Sequence, residues 1–278
     1  MALELPAFAK LAAAVRAASG LSLPRTQLAF IEARLQPTVR RLELGDAPTL
    51  VQRLSTGSDP ALIQAVVEAL VMTETSFFRD KTPFDQLKRE VLPALATARR
   101  DRPVRVWCVG CATGQEAYSV AMLAEQLRGE GAPVPLEILG TDLSDRCLEK
   151  AATGLYTQFE VQRGLPIRLL IEWFEQTDEM WRVSPRLRQA VSWRRFNLLD
   201  APDPAQAWDL ILCRNVLSDF DDDIRRVVLE RLAGVLAEDG RLVLGLSETV
   251  HGVSDAFRPV PGRRGLYARN PEAARQVA

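Results

Sequence analysis

The stretch VGCATGQEAYS, residues 109–119, decides the fold of this 278-residue chain. The apolar run 104–109 predicts a buried strand that leads into it, and residues 115–127 predict a helix that leaves it. Gly110 and Gly114 permit a turn whose backbone can approach a ligand where a Cβ atom would collide. The N-terminus of the helix then faces that ligand, as in the nucleotide-binding half of a doubly wound sheet.

A second strand-like run, residues 136–140, is followed by the acidic residue Asp142, which can hold a ribose hydroxyl. A dinucleotide fingerprint needs three glycines, but Cys111 and Ala112 follow Gly110, and Asp142 comes late. A looser turn fits S-adenosylmethionine, which has a ribose but no pyrophosphate. A dinucleotide site and a plain strand-turn-helix unit stay open as alternatives.

Further strand-like runs alternate with helical ones, which is the rhythm of a parallel α/β sheet. These runs span residues 191–196, 209–213 and 241–246, and residues 257–269 predict a closing hairpin. Residues 156–189 are too long for a simple helical crossover. The β-like runs 172–177 and 180–184 predict an inserted hairpin there.

These patterns divide the chain into three regions. Leu28, Ile31, Leu35 and Leu42 recur at helical spacing, which predicts a small all-helical N-terminal domain over residues 1–72. Residues 73–103 predict a linker with a connecting helix over 84–100. Residues 104–278 predict a cofactor-binding domain that carries the inserted β element at about 156–189.

Composition excludes several classes of protein. A formal net charge of -1 and a pI near 6.0 give no general attraction to nucleic acid or to anionic membranes. No apolar run approaches the roughly 20 residues that span a bilayer. We therefore expect no nucleic-acid substrate and no membrane insertion.

The cysteines indicate the cellular compartment of the protein, and the single histidine argues against a metal site. Cys108, Cys111, Cys147 and Cys213 fall in the predicted cofactor core rather than in a disulfide framework, which favours a reducing, cytoplasmic setting. Cys108 and Cys111 form a C-x-x-C, for which packing is favoured over thiol chemistry. With His251 as the only histidine, we predict no metal site.

Arg34, Arg40 and Arg41 give one predicted helix a basic face. Such a face is expected on any solvated amphipathic helix. It also suits the docking of an acidic partner. The sequence leaves both interpretations open.

Five motifs occur in the order seen in one known family. They are MTETSFFRD (72–80), VWCVGCATGQEAYSVAM (106–122), LGTDLSDRCLEKA (139–151), FNLLD (196–200) and LCRNVLSDFD (212–221). The chain resembles the CheR family of chemotaxis receptor methyltransferases, and the similarity runs from about Phe8 to Arg269. It includes the helical N-terminal region, the β insert and the stretch LGLSETV (244–250).

The resemblance implies a methyltransferase-type doubly wound α/β sheet with a small all-helical N-terminal domain and an inserted small β subdomain. It also implies a protein-glutamate O-methyltransferase that uses S-adenosylmethionine and releases S-adenosylhomocysteine. The acceptors would be glutamates in the cytoplasmic helical region of methyl-accepting chemoreceptors, with this chain acting as a monomer. A cofactor-binding adaptor or sensor with weakened transfer, or a methyltransferase on another protein, are the alternative functions.

The resemblance implies a set of site residues by motif position. The cofactor-binding residues would be Thr73, Thr75, Arg79, Gly110, Gly114, Glu116, Asp142, Asn197, Leu198, Arg214 and Asn215, with Arg79 also the candidate catalytic residue. Arg34, Arg40 and Arg41 would contact the receptor. Thr73 stands where the family usually has Asn, Gln115 and Ala117 where it often has Glu and Pro, and Asp219 where it usually has Tyr.

Overall fold

The computed structural model describes residues 3–57 and 59–272. The outer ends of the predicted N-terminal and C-terminal domains, residues 1–2 and 273–278, lie outside the described residues. The bounds of the predicted domains therefore stay predictions, whereas the helices and strands within them can be compared directly.

Helices fill the described N-terminal region. They are α1 (Leu5–Ser19), α2 (Leu28–Arg41), α3 (Ala47–Thr56) and α4 (Pro60–Leu70), with a 3-10 turn at Arg25–Gln27. Asp46 and Asp59 begin α3 and α4 by accepting hydrogen bonds from the backbone N–H of Thr49 and Leu62, each at 3.0 Å. The helical spacing is confirmed, with Ile31 and Leu35 buried and Leu28 and Leu42 at the edge of the core.

The connecting helix is real but interrupted. It consists of α5 (Thr82–Gln86), a π-helical turn over Leu87–Val91 and α6 (Leu92–Ala98). It begins two residues before the predicted start and ends two residues before the predicted end. The π turn ends two residues before Pro93, whose missing N–H removes one regular helical hydrogen bond.

The remaining strands and helices alternate along the chain. The strands are β1 (Val104–Val109), β2 (Leu136–Asp142), β3 (Leu155–Thr157), β4 (Phe174–Thr177), β5 (Met180–Val183), β6 (Val191–Arg195), β7 (Trp208–Cys213), β8 (Leu236–Leu244), β9 (Phe257–Pro259) and β10 (Leu266–Arg269). The helices are α7 (Gln115–Gly129), α8 (Asp145–Thr153), α9 (Gln158–Gln162), α10 (Ile167–Trp173), α11 (Pro185–Gln189) and α12 (Asp222–Val235).

The main sheet has the strand order β6-β2-β1-β7-β8-β10-β9 in the described residues. The first five of these strands pair in parallel, and β10 pairs antiparallel with both β8 and β9. This confirms the predicted doubly wound α/β sheet and its closing hairpin. The prediction placed the start of β8 too late, because the strand continues through Asp239 and Gly240 with a shift in register opposite Trp208 and Leu210.

The insert is a small antiparallel sheet in the order β3-β5-β4. The predicted hairpin is confirmed, but its first strand begins at Phe174 rather than at residue 172, because α10 continues to Trp173. Phe77 packs edge-on against Tyr156 and Phe174, with ring centroids 5.1 and 5.5 Å apart. The insert thereby fixes the segment that links the helical region to the sheet.

Both faces of the sheet are covered. On β1, Trp107 and Val109 pack into one core with the N-terminal helices and α12, whereas Val106 and Cys108 pack into a second core with α7. Side chains alternate between the faces of a strand, so a strand buried on both sides is apolar throughout. This explains why the run 104–109 carries a strong strand signal.

Candidate active site

A cleft opens at the carboxyl ends of β1 and β7. The chain crosses from β1 to β2 on one side and from β7 to β8 on the other, and such a reversal leaves a crevice in which α/β sheets bind ligands. Nine of the predicted cofactor residues line this cleft: Thr75, Arg79, Gly110, Glu116, Asp142, Asn197, Leu198, Arg214 and Asn215.

The glycine turn wraps around the side chain of Asp142. Gly110 has φ +61°, and a Cβ atom on it would lie 2.5 Å from Val216 Cγ2. Ala112 also has a positive φ of 47°, and its N–H donates to Asp142 Oδ2 at 2.8 Å. The turn therefore needs glycine at residue 110 and an acceptor at residue 142.

Asp142 is buried and bound on both oxygens. Its second oxygen accepts a hydrogen bond from the N–H of Ser144 at 2.9 Å, and Ser144, rather than Asp142, caps the N-terminus of α8. Burial raises the pKa of Asp142, and the hydrogen bonds from the backbone N–H groups of Ser144 and Ala112 oppose that rise. Each carboxylate oxygen keeps further acceptor capacity for a ligand hydroxyl.

Arg214 ties three parts of the cleft wall together. Its guanidinium binds Glu116 Oε2 and Asp80 Oδ2, each at 2.9 Å, and donates to the carbonyl oxygen of Arg79 at 2.7 Å. Burial raises the pKa of Glu116, and the charge and hydrogen bond of Arg214 oppose the rise. The Nε–H of Arg214 is buried and has no hydrogen-bond partner among the described residues.

Arg79 lies on a strained loop at the cleft wall. Its neighbours Phe78, Asp80 and Lys81 all have positive φ, at 49°, 65° and 39°. Non-glycine residues rarely adopt such φ values, and clusters of them mark functional sites. In the described residues Arg79 donates only from Nη1, to the carbonyl oxygen of Glu74 at 2.9 Å. Its remaining N–H groups are available to an anion.

Glu248 was missed by the sequence reasoning, although it lies in the stretch LGLSETV. Its carboxylate accepts hydrogen bonds from the N–H groups of Asn215, Gly245 and Ser218 at 2.7, 2.8 and 3.2 Å. It holds Asn215 at φ 59°, and Asn215 Oδ1 is buried without a partner among the described residues. An acidic residue shortly after a sheet strand was the signal that could have found it.

Asn197 and Leu198 line the cleft but also stabilise the fold. The amide of Asn197 donates to the carbonyl oxygen of Ala18 at 2.8 Å and accepts from the N–H of Leu199 at 3.0 Å. The carbonyl oxygen of Leu198 accepts a hydrogen bond from Arg231 at 3.0 Å. The Asn197 side chain thus joins the segment after β6 to α1, and the Leu198 backbone joins it to α12.

Thr73 and Gly114 are not among the described residues that line the cleft. Gly114 has φ +92° at the start of α7, and a Cβ atom on it would lie 2.8 Å from both Ala151 and Trp193. This glycine is needed for close packing. A cofactor role for Thr73 and Gly114 stays a prediction.

Comparison with known proteins identifies the family. The model of the S-adenosylmethionine-binding domain of CheR methyltransferases matches residues 73–266. The chain belongs to the CheR methyltransferase family. Chemotaxis protein methyltransferase 1 of Pseudomonas aeruginosa is 32% identical over 254 residues, which cover 90% of this chain and 92% of that protein. Chemotaxis protein methyltransferase 1 of Vibrio cholerae is 32% identical, with 89% and 90% covered.

Family membership confirms the predicted enzyme class and cofactor. The chain is a methyltransferase that depends on S-adenosylmethionine. The cleft fits this cofactor, because Asn215 Oδ1 is a buried acceptor without a partner among the described residues and the carboxylate oxygens of Asp142 keep acceptor capacity for hydroxyl groups. A dinucleotide site and a plain structural turn are no longer needed to explain the glycine-containing stretch.

The three arginines predicted to contact a partner differ in their surroundings. Arg34 donates to the carbonyl oxygens of Ala69 and Val71 at 2.7 and 2.9 Å, so it ties α2 to the C-terminal end of α4. Arg40 and Arg41 are exposed near the end of α2. No described helix is long and apolar enough to span a bilayer.

Proposed function

We propose that this enzyme methylates glutamate side chains in the cytoplasmic helical region of chemoreceptors, as a cytoplasmic monomer. The names of its relatives support a role in chemotaxis. The observation that carries the choice of acceptor is Arg79, a guanidinium with unused donors at the wall of a cleft. A cation in that position suits a carboxylate.

The residues of the glycine turn would hold the cofactor. Asp142 would accept hydrogen bonds from the ribose hydroxyls, and Asn215 Oδ1 would accept one from an N–H of the cofactor. Arg214 would keep Glu116 and the Arg79 loop in place through its Nη1 and Nη2 atoms, and its Nε–H, which has no partner among the described residues, would remain available to the cofactor. The bound cofactor supplies an activated methyl group on a positively charged sulfur.

The acceptor needs no catalytic base. A glutamate side chain has an ordinary pKa of about 4.3, so its oxygen is already ionised at neutral pH. That oxygen forms a bond to the methyl carbon while the carbon–sulfur bond breaks, and the sulfur keeps the electron pair. The protein contributes alignment and removal of water, effects that are worth several kcal/mol. Arg79 would hold the acceptor carboxylate with the donors that it does not use for Glu74.

Radiolabelled S-adenosylmethionine tests the proposal. We expect receptor-rich membranes to gain label in a form that is released by mild base, since glutamate methyl esters are base-labile. Label that resists base would indicate nitrogen methylation and contradict the choice of acceptor. Tight cofactor binding without any labelled protein would favour the adaptor or sensor function instead.

A matched pair of variants tests Arg79. Arg79→Gln removes the charge, whereas Arg79→Lys keeps it without the forked donors. We expect Arg79→Gln to lose more than about tenfold in kcat/KM, since a charge-assisted hydrogen bond is worth roughly 1.5–3 kcal/mol. Equal activity of both variants and the native enzyme would remove Arg79 from the site.

A further inference from the structure

We infer that Asp219, in its protonated form, donates a hydrogen bond to the acceptor carboxylate at the mouth of the cleft, so that methyl transfer slows as Asp219 ionises. This inference rests on the proposed glutamate acceptor. Asp219 would make the rate of methyl transfer depend on pH. The transfer step itself would be the one described under the proposed function.

Asp219 lies where the cofactor cleft meets a second groove. Leu21, Met72 and Asp219 line both spaces, and Phe30 and Arg34 of α2 line the groove. The backbone of Asp219 is held in a 3-10 turn, and its carbonyl oxygen accepts a hydrogen bond from the N–H of Ser22 at 2.8 Å. An acceptor side chain that enters from the α2 side must therefore pass Asp219, whose backbone is held in place.

Asp219 differs from the other acidic residues of the cleft, because its carboxyl group has no partner among residues 3–57 and 59–272. The others are bound: Glu74 pairs with Arg163, Glu116 pairs with Arg214, and Asp142 accepts two backbone N–H groups. No hydrogen bond or ion pair joins the carboxyl group of Asp219 to any described residue, although the side chain is only partly exposed. A polar group in such a place is free to bind a ligand.

Two arginines near Asp219 are bound to other groups. Arg34 donates to carbonyl oxygens at the end of α4 and just after it, and Arg225 of α12 donates to the carbonyl oxygen of Leu217 and to the carboxylate of Asp222. Glu248, on the loop after β8, places a negative charge on the same side. Burial and then the charge of Glu248 raise the pKa of Asp219 to about 6.

The two protonation states act in opposite ways on an acceptor carboxylate. The protonated carboxyl group donates a hydrogen bond to the oxygen that does not attack, which holds the acceptor without blocking transfer. The ionised group repels the acceptor. Because the acceptor glutamate loses its proton near pH 4.3 and Asp219 near pH 6, both groups are in the productive state only between these values.

The test compares the native enzyme with Asp219→Asn across pH 5 to 8.5. At pH 8 a group with a pKa of about 6 is protonated in about one molecule in 100. We expect Asp219→Asn, which always presents a donor, to exceed native kcat/KM for receptor by about 10-fold to 100-fold at pH 8 and to match it near pH 5. Asp223→Asn, an exposed change of the same charge, should leave the native profile in place.

Cofactor affinity supplies a readout that is independent of the acceptor. An ionised Asp219 that served the sulfonium would make Asp219→Asn bind S-adenosylmethionine more weakly while S-adenosylhomocysteine binding stayed the same. We expect isothermal titration to give unchanged affinity for both ligands, in support of the inference. Selective loss of S-adenosylmethionine affinity, or equal pH profiles of native enzyme and variant, would overturn it.

Failure of the inference and failure of the proposed function are distinguishable. If receptors gain base-labile label but Asp219→Asn follows the native pH profile, the acceptor is right and the role of Asp219 is wrong. If no receptor glutamate is labelled by either form, the proposed acceptor is wrong, and with it the partner assigned to Asp219.

Discussion

Buried charged side chains lie at both ends of β7, and they differ in how completely they are hydrogen-bonded. At the amino end, Asp209 is fully buried and accepts hydrogen bonds from Arg99, Arg102 and the N–H of Arg105, at 2.7 to 2.9 Å. At the carboxyl end, the buried Nε–H of Arg214 and the side-chain oxygen of the next residue, Asn215, have no hydrogen-bond partner within the described part of the chain.

The pKa values of the buried carboxyl groups shift in opposite directions at the two ends of β7. Burial alone would raise the pKa of Asp209, but the donors of Arg102, Arg105 and Arg99 outweigh it and lower the pKa. Burial raises the pKa of Glu116 and of Asp219 at the other end, where pairing is incomplete. Complete pairing stabilises a fold, whereas incomplete pairing with perturbed pKa values is typical of a ligand site. The buried charges at the amino end of β7 thus stabilise the fold, and those at its carboxyl end form part of the ligand site.

The largest expected effect is on cofactor affinity. Asp142→Ala removes the ribose acceptor, and two charge-assisted hydrogen bonds correspond to roughly 3–5 kcal/mol, or more than about 100-fold in Kd. The variant should also lose some stability, because the N–H groups of Ala112 and Ser144 lose their acceptor. Isothermal titration measures the first effect and chemical denaturation the second. Unchanged affinity would refute the ribose role, and Asp142→Asn serves as the variant that preserves side-chain volume.

Asp209→Ala, at the amino end of β7, should lower the free energy of unfolding without changing the affinity for the cofactor. Removing one partner of a buried ion pair leaves uncompensated charge and costs about 3 kcal/mol of unfolding free energy. Urea denaturation measures this loss, and Asp239→Ala, which removes an exposed partner of Arg99, should cost much less. An Asp209→Ala variant with native stability, or with weakened cofactor binding, would contradict the division between the two ends.

Asp219→Asn should stabilise the fold at high pH and not at low pH. The folded-state pKa of Asp219 is raised to about 6, so ionisation above the unfolded value opposes folding. The penalty grows as the pH rises from about 4 to 6 and then stays constant; two pKa units correspond to about 3 kcal/mol, which solvent screening at the partly exposed side chain reduces to about 2 kcal/mol. Thermal unfolding should therefore give a higher Tm for the variant at pH 8 and an equal Tm at pH 4. A higher Tm at both values would indicate a cause other than ionisation.

The smallest expected effect is at the exposed end of α2. Arg40→Glu with Arg41→Glu should raise KM for receptor a few-fold, because exposed charges each contribute about 1 kcal/mol or less. Cofactor affinity should stay the same, and added salt should reduce the difference between variant and native enzyme. Arg34 is unsuitable for this test, since its loss would also free the carbonyl oxygens of α4. Equal KM values would place receptor docking elsewhere.

Local patterns predicted much of the fold. The strands at 104–109 and 136–142 and the helix from Gln115 were identifiable because apolar runs, a glycine turn and helical spacing agree. The start of β8 was not, because Asp239 and Gly240 have the composition of a turn and only pairing with β7 keeps them in a strand. Pairing between strands that are far apart in the chain cannot be recognised from a short stretch of sequence.

The sequence predicted which residues line the site better than it predicted the contacts between them. Motif position brought nine cofactor candidates to one cleft. It did not reveal that Arg214 holds Glu116 and the Arg79 loop, or that Glu248 orients Asn215. These contacts join residues that are far apart in the chain, so they depend on the packing of whole strands. The hydrogen bonds from Arg34 to the carbonyl oxygens of Ala69 and Val71 could not be read from the sequence for the same reason.

A crystal structure of the enzyme with S-adenosylhomocysteine tests the central claim most directly. We predict that the adenosine lies in the cleft at the carboxyl ends of β1 and β7, with its ribose on Asp142 and the glycine turn at Gly110 against it. Density for the adenosine in any other place, such as the groove between Phe84 and Leu127 on the far side of the Arg79 loop, would contradict the assignment.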